Sequence, residues 1–182
     1  MAEHNLEALW EEHLRHEFET RDIDATMATI VPTPYVNHVP TMAGGVGHDQ
    51  LKRFYKYHFI GANPPDMTMT PVSRTVGADR VVDEMVVRFT HTTAIDWMLP
   101  GIAPTGRVVE IPLVAIVQFR DGKMAHEHIY WDQASVLVQI GVLESRDLPV
   151  AGAETARKVL DVSLPSNRLL GEAWRSSEGK PV

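Results

Sequence analysis

The chain contains no cysteine among its 182 residues. Thiol nucleophiles, thiolate metal ligands and disulfides are therefore excluded together, which fits a reducing compartment. No apolar run reaches the roughly 18 residues that a membrane-spanning helix needs. The N-terminal segment is rich in Glu, His and Arg and carries no apolar signal core. We therefore expect a cytoplasmic protein.

Clustered positive charge and several catalytic signatures are missing as well. Lys and Arg number 17 against 24 Asp and Glu, so the net charge is −7, and we expect neither nucleic acid nor a membrane as partner. No Gly-x-Ser-x-Gly motif occurs, which argues against a serine hydrolase of the dienelactone type. Gly44-Gly-Val-Gly47 is not followed by Gly-Lys-Ser/Thr, so we interpret it as the entry to a helix rather than a phosphate loop.

The remaining patterns describe one domain with a tail. Helical spacing predicts helices over 5–20, 22–30, 49–60 and 154–161, and a short extended piece over 35–39. After Pro65, alternation and β-branched residues predict strands over 67–76, 80–91, 108–120 and 123–132, the last two joined by a turn at Asp121-Gly122. Residues 134–140 fit either a strand extension or a helical turn.

Helices followed by antiparallel strands indicate the α+β class. We expect a strongly curved antiparallel sheet that wraps around the N-terminal helices and encloses a conical cavity. The predicted domains are a cone over 1–144 and a partly helical C-terminal extension over 145–182.

The segment 126–132 carries the densest group of reactive side chains. On a strand, alternate side chains share a face. One face would carry His126, His128, Tyr130 and Asp132. The other would carry Glu127, Ile129 and Trp131. The polar face is either wet surface or the wall of a polar pocket.

Each polar residue of this segment has two interpretations. Asp132 could cap the following element, or it could be a pocket acid whose pKa is raised by apolar walls such as Trp97, Met98 and Trp131. Tyr130 could donate to a carbonyl oxygen, or it could be a half-buried aromatic residue.

Metal binding and surface ion pairing are further alternatives. The His126-x-His128 pair could ligate one metal ion with Glu84 or His91, although partly exposed strand histidines explain it more simply. Glu84 could instead form a solvated salt bridge with Arg88.

Six short motifs, in this order along the chain, resemble one known family. They are Tyr35-Val-Asn-His-Val-Pro40, a helix that begins after a Gly-rich segment, Arg88-Phe-Thr-His-Thr92, the loop Leu99–Arg107, Asp121-Gly-Lys, and Tyr130-Trp-Asp-Gln133 with Gln139-Ile-Gly141. Over about 5–143 the chain resembles the SnoaL-like polyketide cyclase branch of the nuclear transport factor 2-like superfamily. The tail, with Leu148–Glu154 and Pro165-Ser-Asn167, resembles a subgroup found beside or fused to dienelactone-hydrolase-type enzymes.

The resemblance implies a cone-shaped cystatin-like fold, commonly a homodimer through the outer face of the sheet. Its cyclases use no metal or organic cofactor and employ an Asp near the end of a late strand as general acid/base. By position that Asp resembles Asp132, while His38 resembles the family's early histidine and His91 lies at the pocket rim or wall. Tyr130 stands where the cyclases are expected to carry another imidazole, which argues against polyketide cyclisation itself.

The predicted function is a cofactor-independent acid/base enzyme, of cyclase, isomerase or lyase type, acting on a small and mostly apolar carbonyl or lactone compound. Asp132 would transfer the proton, with His128 and Tyr130 orienting it or stabilising an oxyanion. The predicted substrate-binding residues are His38, Asn37, His91, Trp97, Glu84 and Trp131. The alternatives are a non-catalytic module for a small hydrophobic ligand, associated with a dienelactone-type hydrolase, and a hydrolase that activates water.

Overall fold

The N-terminal region is helical in the computed structural model, which describes residues 4–182. Helix α1 (Leu6–Leu14) begins at Asn5, whose side chain accepts a hydrogen bond from the Ala8 amide at 3.1 Å. A π-helical turn, Arg15–Glu19, extends α1. Helix α2 (Ile23–Ala28) follows, so both predicted front helices are present.

The third predicted helix is also divided. Helix α3 (His48–Phe54) continues into a second π-helical turn, Tyr55–Phe59. Gly47 precedes α3 with φ of 81°, a conformation that favours glycine. None of the helices within residues 4–182 is long and apolar enough to cross a membrane.

One six-stranded sheet forms the body of the domain, in the order β2-β1-β6-β5-β4-β3. Its strands are β1 (Ile30–His38), β2 (Ala43–Val46), β3 (Thr68–Val76), β4 (Arg80–Thr90), β5 (Val108–Arg120) and β6 (Lys123–Trp131). Strand β1 pairs parallel with β6, while the other four pairings are antiparallel, so the sheet is mixed rather than antiparallel throughout. Strand β2 was not predicted, because its Gly-rich sequence has few strand-forming side chains.

The β5–β6 hairpin has the predicted turn. Asp121 and Gly122 both have positive φ, 52° and 74°, as a two-residue turn of the primed type requires. In β5 the buried side chains alternate strictly with half-buried ones, so one face belongs to the core. The core-facing residues of β5 are Val109, Ile111, Leu113, Ala115, Val117 and Phe119.

The chain after β6 is mainly helical. Residues 134–140 lie in helix α4 (Gln133–Gln139), which decides between the two interpretations of this segment. Helix α5 (Glu154–Leu160) packs against β5 and β4, and Arg157 contacts Glu110 at 3.0 Å. A short 3-10 helix (Arg168–Leu170) and α6 (Glu172–Arg175) follow. The division into domains at residue 144 stays a prediction.

Candidate active site

The concave face of the sheet and the front helices enclose a chamber of about 50 Å³. Ligand pockets usually measure about 300–1,000 Å³, so the chamber holds only a very small molecule unless side chains move. Methionines are flexible, and Met67 and Met69 are partly exposed, so these side chains separate the chamber from solvent. The other apolar walls include Trp10, Phe18, Phe59, Met85 and Trp97.

Both π-helical turns deliver side chains to this chamber. The first turn supplies Glu17 and Phe18, and the second supplies Tyr55 and Phe59. A π-turn inserts an extra residue into a helix, which redirects the side chains around it, and such turns are rare and frequent at functional sites. Their shared position marks the chamber as the candidate active site.

Glu127 is the acidic group that β6 contributes to the chamber. Its side chain points inward because it pairs with Val117 of β5 and Val36 of β1 in a register that places all three on the concave face. The side chain is buried and lines the chamber. Burial, and next the nearby Glu17, raise the pKa of Glu127 well above its usual value. Burial therefore favours the protonated, neutral form of Glu127, and that form can donate a hydrogen bond.

Glu17 belongs to a second polar unit, formed with His13 and Thr29. His13 Nε2 lies 3.1 Å from Glu17 Oε1, and His13 Nδ1 lies 2.6 Å from Thr29 Oγ1. The Thr29 hydroxyl donates to the Thr26 carbonyl oxygen at 2.6 Å, so it must accept from His13, and Nδ1 therefore carries a proton. One further proton lies between Nε2 and Glu17, which makes the pair neutral overall whichever atom holds it.

Tyr55 faces both carboxyl groups from the second π-turn. Its hydroxyl is buried and makes no hydrogen bond of good geometry with any described residue. Burial, and then Glu17 and Glu127, raise the pKa of Tyr55 well above its usual value. The hydroxyl is therefore a protonated donor that a ligand oxygen in the chamber could accept from.

His38 lines the chamber from the end of β1. Its Nδ1 lies 3.2 Å from the Ala43 carbonyl oxygen, which can only accept, so this nitrogen carries the proton and Nε2 is free to accept. Burial lowers the pKa of His38 to about 4, so the ring is neutral near pH 7. The rings packed around it belong to Phe54, Phe59, Trp97 and Trp131.

The predicted catalytic face of β6 lies outside the chamber. Tyr130 is 41% exposed, and His126 and His128 are half-buried on the outer face of the sheet. Asp132 is exposed, and its carboxylate caps α4 by accepting from the Ser135 amide at 3.1 Å. The prediction that this face turns inward was wrong. Ile129 and Trp131 lie on the buried face of β6, and Glu127 is on the same face because alternate residues of a strand point the same way. The capping interpretation of Asp132 is confirmed.

The predicted substrate-binding residues divide between the chamber and other places. His38 and Trp97 line the chamber, and Trp131 lies behind them with its ring 5.6 Å from that of Trp97. Their role in substrate binding stays a prediction. Asn37 lies on the outer face of β1, beside a surface groove.

Two of the predicted substrate-binding residues are held by partners elsewhere. His91 is fully buried but does not line the chamber; its Nδ1 contacts Thr105 Oγ1 at 3.2 Å. Glu84 accepts from Ser73 at 2.8 Å on the outer face, while Arg88 pairs with Glu110 rather than with Glu84. Both positions contradict the predicted pocket contacts.

The metal alternative has no complete ligand set in the described part of the chain. The His126 and His128 rings lie 5.0 Å apart on the outer face. No group of three or more His, Asp or Glu side chains that could hold a metal ion occurs within residues 4–182.

Four residues of the candidate site were not predicted from the sequence: His13, Glu17, Tyr55 and Glu127. Polar residues recur along the first predicted helix, and composition alone does not separate His13 and Glu17, which are 0% and 3% exposed, from those on the surface. The signal was present in the spacing: Trp10, His13 and Glu17 follow one another at intervals of three and four, which places them on one face of a helix.

Comparison with solved structures shows many chains of the same fold. IdmH from Streptomyces antibioticus, described as a candidate polyketide cyclase, is 25% identical over 76% of this chain and 100% of its own, with a TM-score of 0.54. TsrD from Streptomyces laurentii is 19% identical over 76% and 96%, with a TM-score of 0.58. A candidate polyketide cyclase from Xanthomonas campestris is 19% identical over 74% and 96%, with a TM-score of 0.59.

Sequence comparison with families gives the more specific result. No curated protein sequence matches the chain. The family model for the SnoaL-like domain matches residues 10–127, which is more than half of the chain and includes Glu17, His38, Tyr55 and Glu127. The fold is accordingly that of the nuclear transport factor 2-like proteins. The chain belongs to the SnoaL-like domain family.

Proposed function

We propose that the protein is a cofactor-independent acid/base enzyme of isomerase or cyclase type, acting on a small and mostly apolar carbonyl compound in the chamber. The observation that carries the proposal is the buried Tyr55 hydroxyl, which lines the chamber without a hydrogen-bond partner among the described residues, together with the buried Glu127 carboxyl in the same chamber. Burying such polar groups costs free energy unless a ligand supplies the missing hydrogen-bond partner.

The two donors are suited to stabilise an enolate. A carbonyl oxygen that accepts from Tyr55 and Glu127 gains negative charge when a proton leaves the neighbouring carbon, and both hydrogen bonds strengthen as that charge develops. A tyrosine beside a carboxylic acid kept neutral by burial is a known arrangement for this purpose in ketosteroid isomerase. This resemblance in chemistry supports the proposal.

Glu17 is the proposed base. It lines the same chamber, and when His13 Nε2 holds the proton that the pair shares, the Glu17 carboxylate is free to accept one from the substrate. His38, with its pKa lowered to about 4, is too weak a base for this role near pH 7 and instead offers Nε2 as an acceptor that orients the substrate. No step uses a metal or an organic cofactor.

Exchange of carbon-bound protons with solvent tests this proposal. Cyclohexanone, cyclohexenone and cyclohexane-1,3-dione are incubated with the protein in deuterium oxide, and loss of the α-proton signal is followed by NMR. We expect catalysed exchange with at least one of them, reduced about 100 to 10,000-fold in Glu17→Gln, as for other positioned acid/base groups. Asp132→Asn is the matched control and should exchange as wild type does.

Two outcomes would overturn the proposal. Exchange that is abolished in Asp132→Asn but unchanged in Glu17→Gln and Glu127→Gln would move the chemistry to the outer face. Binding of these ketones without catalysed exchange would favour the second candidate function, a ligand-binding module. That alternative rests on the small chamber volume and its mostly apolar walls.

We also propose that two copies associate through the outer face of the sheet. This face exposes Tyr35 and Tyr130 and carries the half-buried Val82, Val114 and Ile116, an apolar surface of the kind that interfaces cover. Light scattering should give a dimer for the wild type and a monomer for Tyr130→Glu. A wild-type monomer at micromolar concentration would reject this association.

A further inference from the structure

We infer that His13 and Thr29 form a proton path between the buried Glu17 carboxyl and bulk solvent. The inference rests on the proposed function only in that it supplies Glu17 with protons; the path itself is a property of the resting protein. It explains why a polar triad crosses the otherwise apolar interface between α1 and α2.

The path consists of two consecutive short contacts. Glu17 Oε1 lies 3.1 Å from His13 Nε2, on the chamber side of the imidazole. On its far side, Nδ1 lies 2.6 Å from Thr29 Oγ1. An imidazole that accepts at one nitrogen and donates at the other transfers a proton across its ring without moving.

The far end of the path reaches the surface. Thr29 is half-buried and lines an open recess of about 260 Å³, on the side of α1 opposite the chamber. The recess is bounded by Glu12, His16, Ala25 and Lys123, so it is polar and large enough to hold water. Thr29 therefore contacts both His13 and a space that water can enter.

The proton balance is simple. The balance starts with Nε2 holding the shared proton and Glu17 ionised. When Glu17 takes a proton from the substrate, Nε2 keeps the shared proton and Nδ1 passes its own proton to the Thr29 oxygen. The Thr29 hydroxyl proton, held at rest by the Thr26 carbonyl, turns towards a water molecule in the recess and leaves. One proton enters at Glu17 and one leaves at Thr29, and reversal resets the path.

The surroundings of His13 hold the ring in place for this role. Trp10 stacks on it with ring centroids 5.6 Å apart and an interplanar angle of 15°, and Tyr55 lies on another side at 6.3 Å. The charged or titratable groups that face it are Glu17 in the same helix and Tyr55 from the second π-turn. The indole of Trp10 is itself fixed by donating to Asp83 at 2.8 Å.

Hydrogen exchange at the imidazole tests the path without any substrate. In protein labelled with ¹⁵N-histidine, the ring N–H proton of His13 is observed by NMR, and its exchange rate with water is measured by magnetisation transfer. Thr29→Val removes the hydroxyl with little change of shape. We expect the exchange of the remaining ring proton to slow by at least about tenfold, which equals about 1.4 kcal/mol in barrier. Thr29→Ser should restore it.

A second variant keeps the test valid if Thr29→Val fails to fold. Ala25→Leu fills the recess from the surface of α2 and leaves the triad intact, so it should also slow exchange. Thr20→Val is the matched control, because Thr20 contacts His16 at 3.3 Å in the same way but on the exposed side of the helix. It should leave His13 unchanged.

An unchanged or faster rate in both Thr29→Val and Ala25→Leu would overturn the path. Failure of the ketone exchange assay alone would reject the proposed function but leave this result untouched, so the two failures are distinguishable. When the proposed function and the proton path both hold, an isomerisation catalysed by Thr29→Val should give a product that keeps the substrate's own deuterium. The reason is that the abstracted proton no longer escapes to solvent.

Discussion

Replacing Glu127 with glutamine should make the protein more stable near neutral pH. The carboxyl is buried, and its pKa is raised well above its usual value by burial and by Glu17. In the unfolded chain the same group ionises at a pKa of about 4.3. Glutamine has the same size and no charge, so it mimics the neutral acid at every pH.

The magnitude follows from the proton count. Between the unfolded and folded pKa values of Glu127, the folded state holds a proton that the unfolded state has lost. The stabilisation from this group is fully present below the unfolded pKa and is lost as the pH rises through the folded pKa. The wild type therefore loses about 1.4 kcal/mol per pH unit in that window, relative to Glu127→Gln.

Urea unfolding followed by tryptophan fluorescence measures this difference. We expect the two proteins to be nearly equal in free energy of unfolding at about pH 4, with the variant gaining about 1.4 kcal/mol for each unit above it. Glu144→Gln, at an exposed position, should show no such slope. A difference between Glu127→Gln and wild type that stays constant from about pH 4 to about pH 8 would refute the reasoning.

Three further predictions concern His38, Asp132 and Tyr55. The pKa of His38 falls from 6.5 to about 4 on folding, so its contribution to stability is fully present above pH 6.5 and is lost as the pH falls towards 4. The wild type should lose about 3 kcal/mol of unfolding free energy across that range, measured by urea unfolding, and His38→Asn should not show this loss. Asp132→Ala should cost about 1 kcal/mol through loss of the α4 cap, while Asp132→Asn costs much less; equal losses would contradict the capping role. Tyr55→Phe should leave stability unchanged or raise it by about 1 kcal/mol in thermal unfolding while slowing α-proton exchange, and a large destabilisation would show that the hydroxyl is satisfied.

Local patterns predicted most elements of the fold but not all of their pairings. The alternation in β5 and the Asp121-Gly122 turn depend on neighbouring residues, so the hairpin could be identified from the sequence. The parallel pairing of β1 with β6 joins segments about 90 residues apart, and no local rule specifies it. Pro32 and Pro34 favoured a break before residue 35, yet β1 begins at Ile30, with an irregular register against β6 that accommodates the prolines.

The site was missed because the phase of one strand was assigned by chemistry instead of burial. In β6, choosing the face with two histidines also meant exposing Ile129 and Trp131, whose burial contributes far more to stability. When the assumed inward and outward alternation of β6 is shifted by one residue, Glu127 instead of Asp132 becomes the acid that faces the chamber. His38 was identified because the family resemblance supplied its position, whereas Trp97 was named as a possible apolar wall.

The protonation state of Glu127 is the most direct test of the account, since the proposed donor pair requires a neutral acid in the chamber. Protein labelled with ¹³C at the glutamate side-chain carboxyl carbon can be titrated by NMR, with the Glu127 signal assigned by its absence from Glu127→Gln. We predict one glutamate signal that remains at the protonated position at pH 7. A Glu127 signal that is fully ionised at this pH would contradict the account.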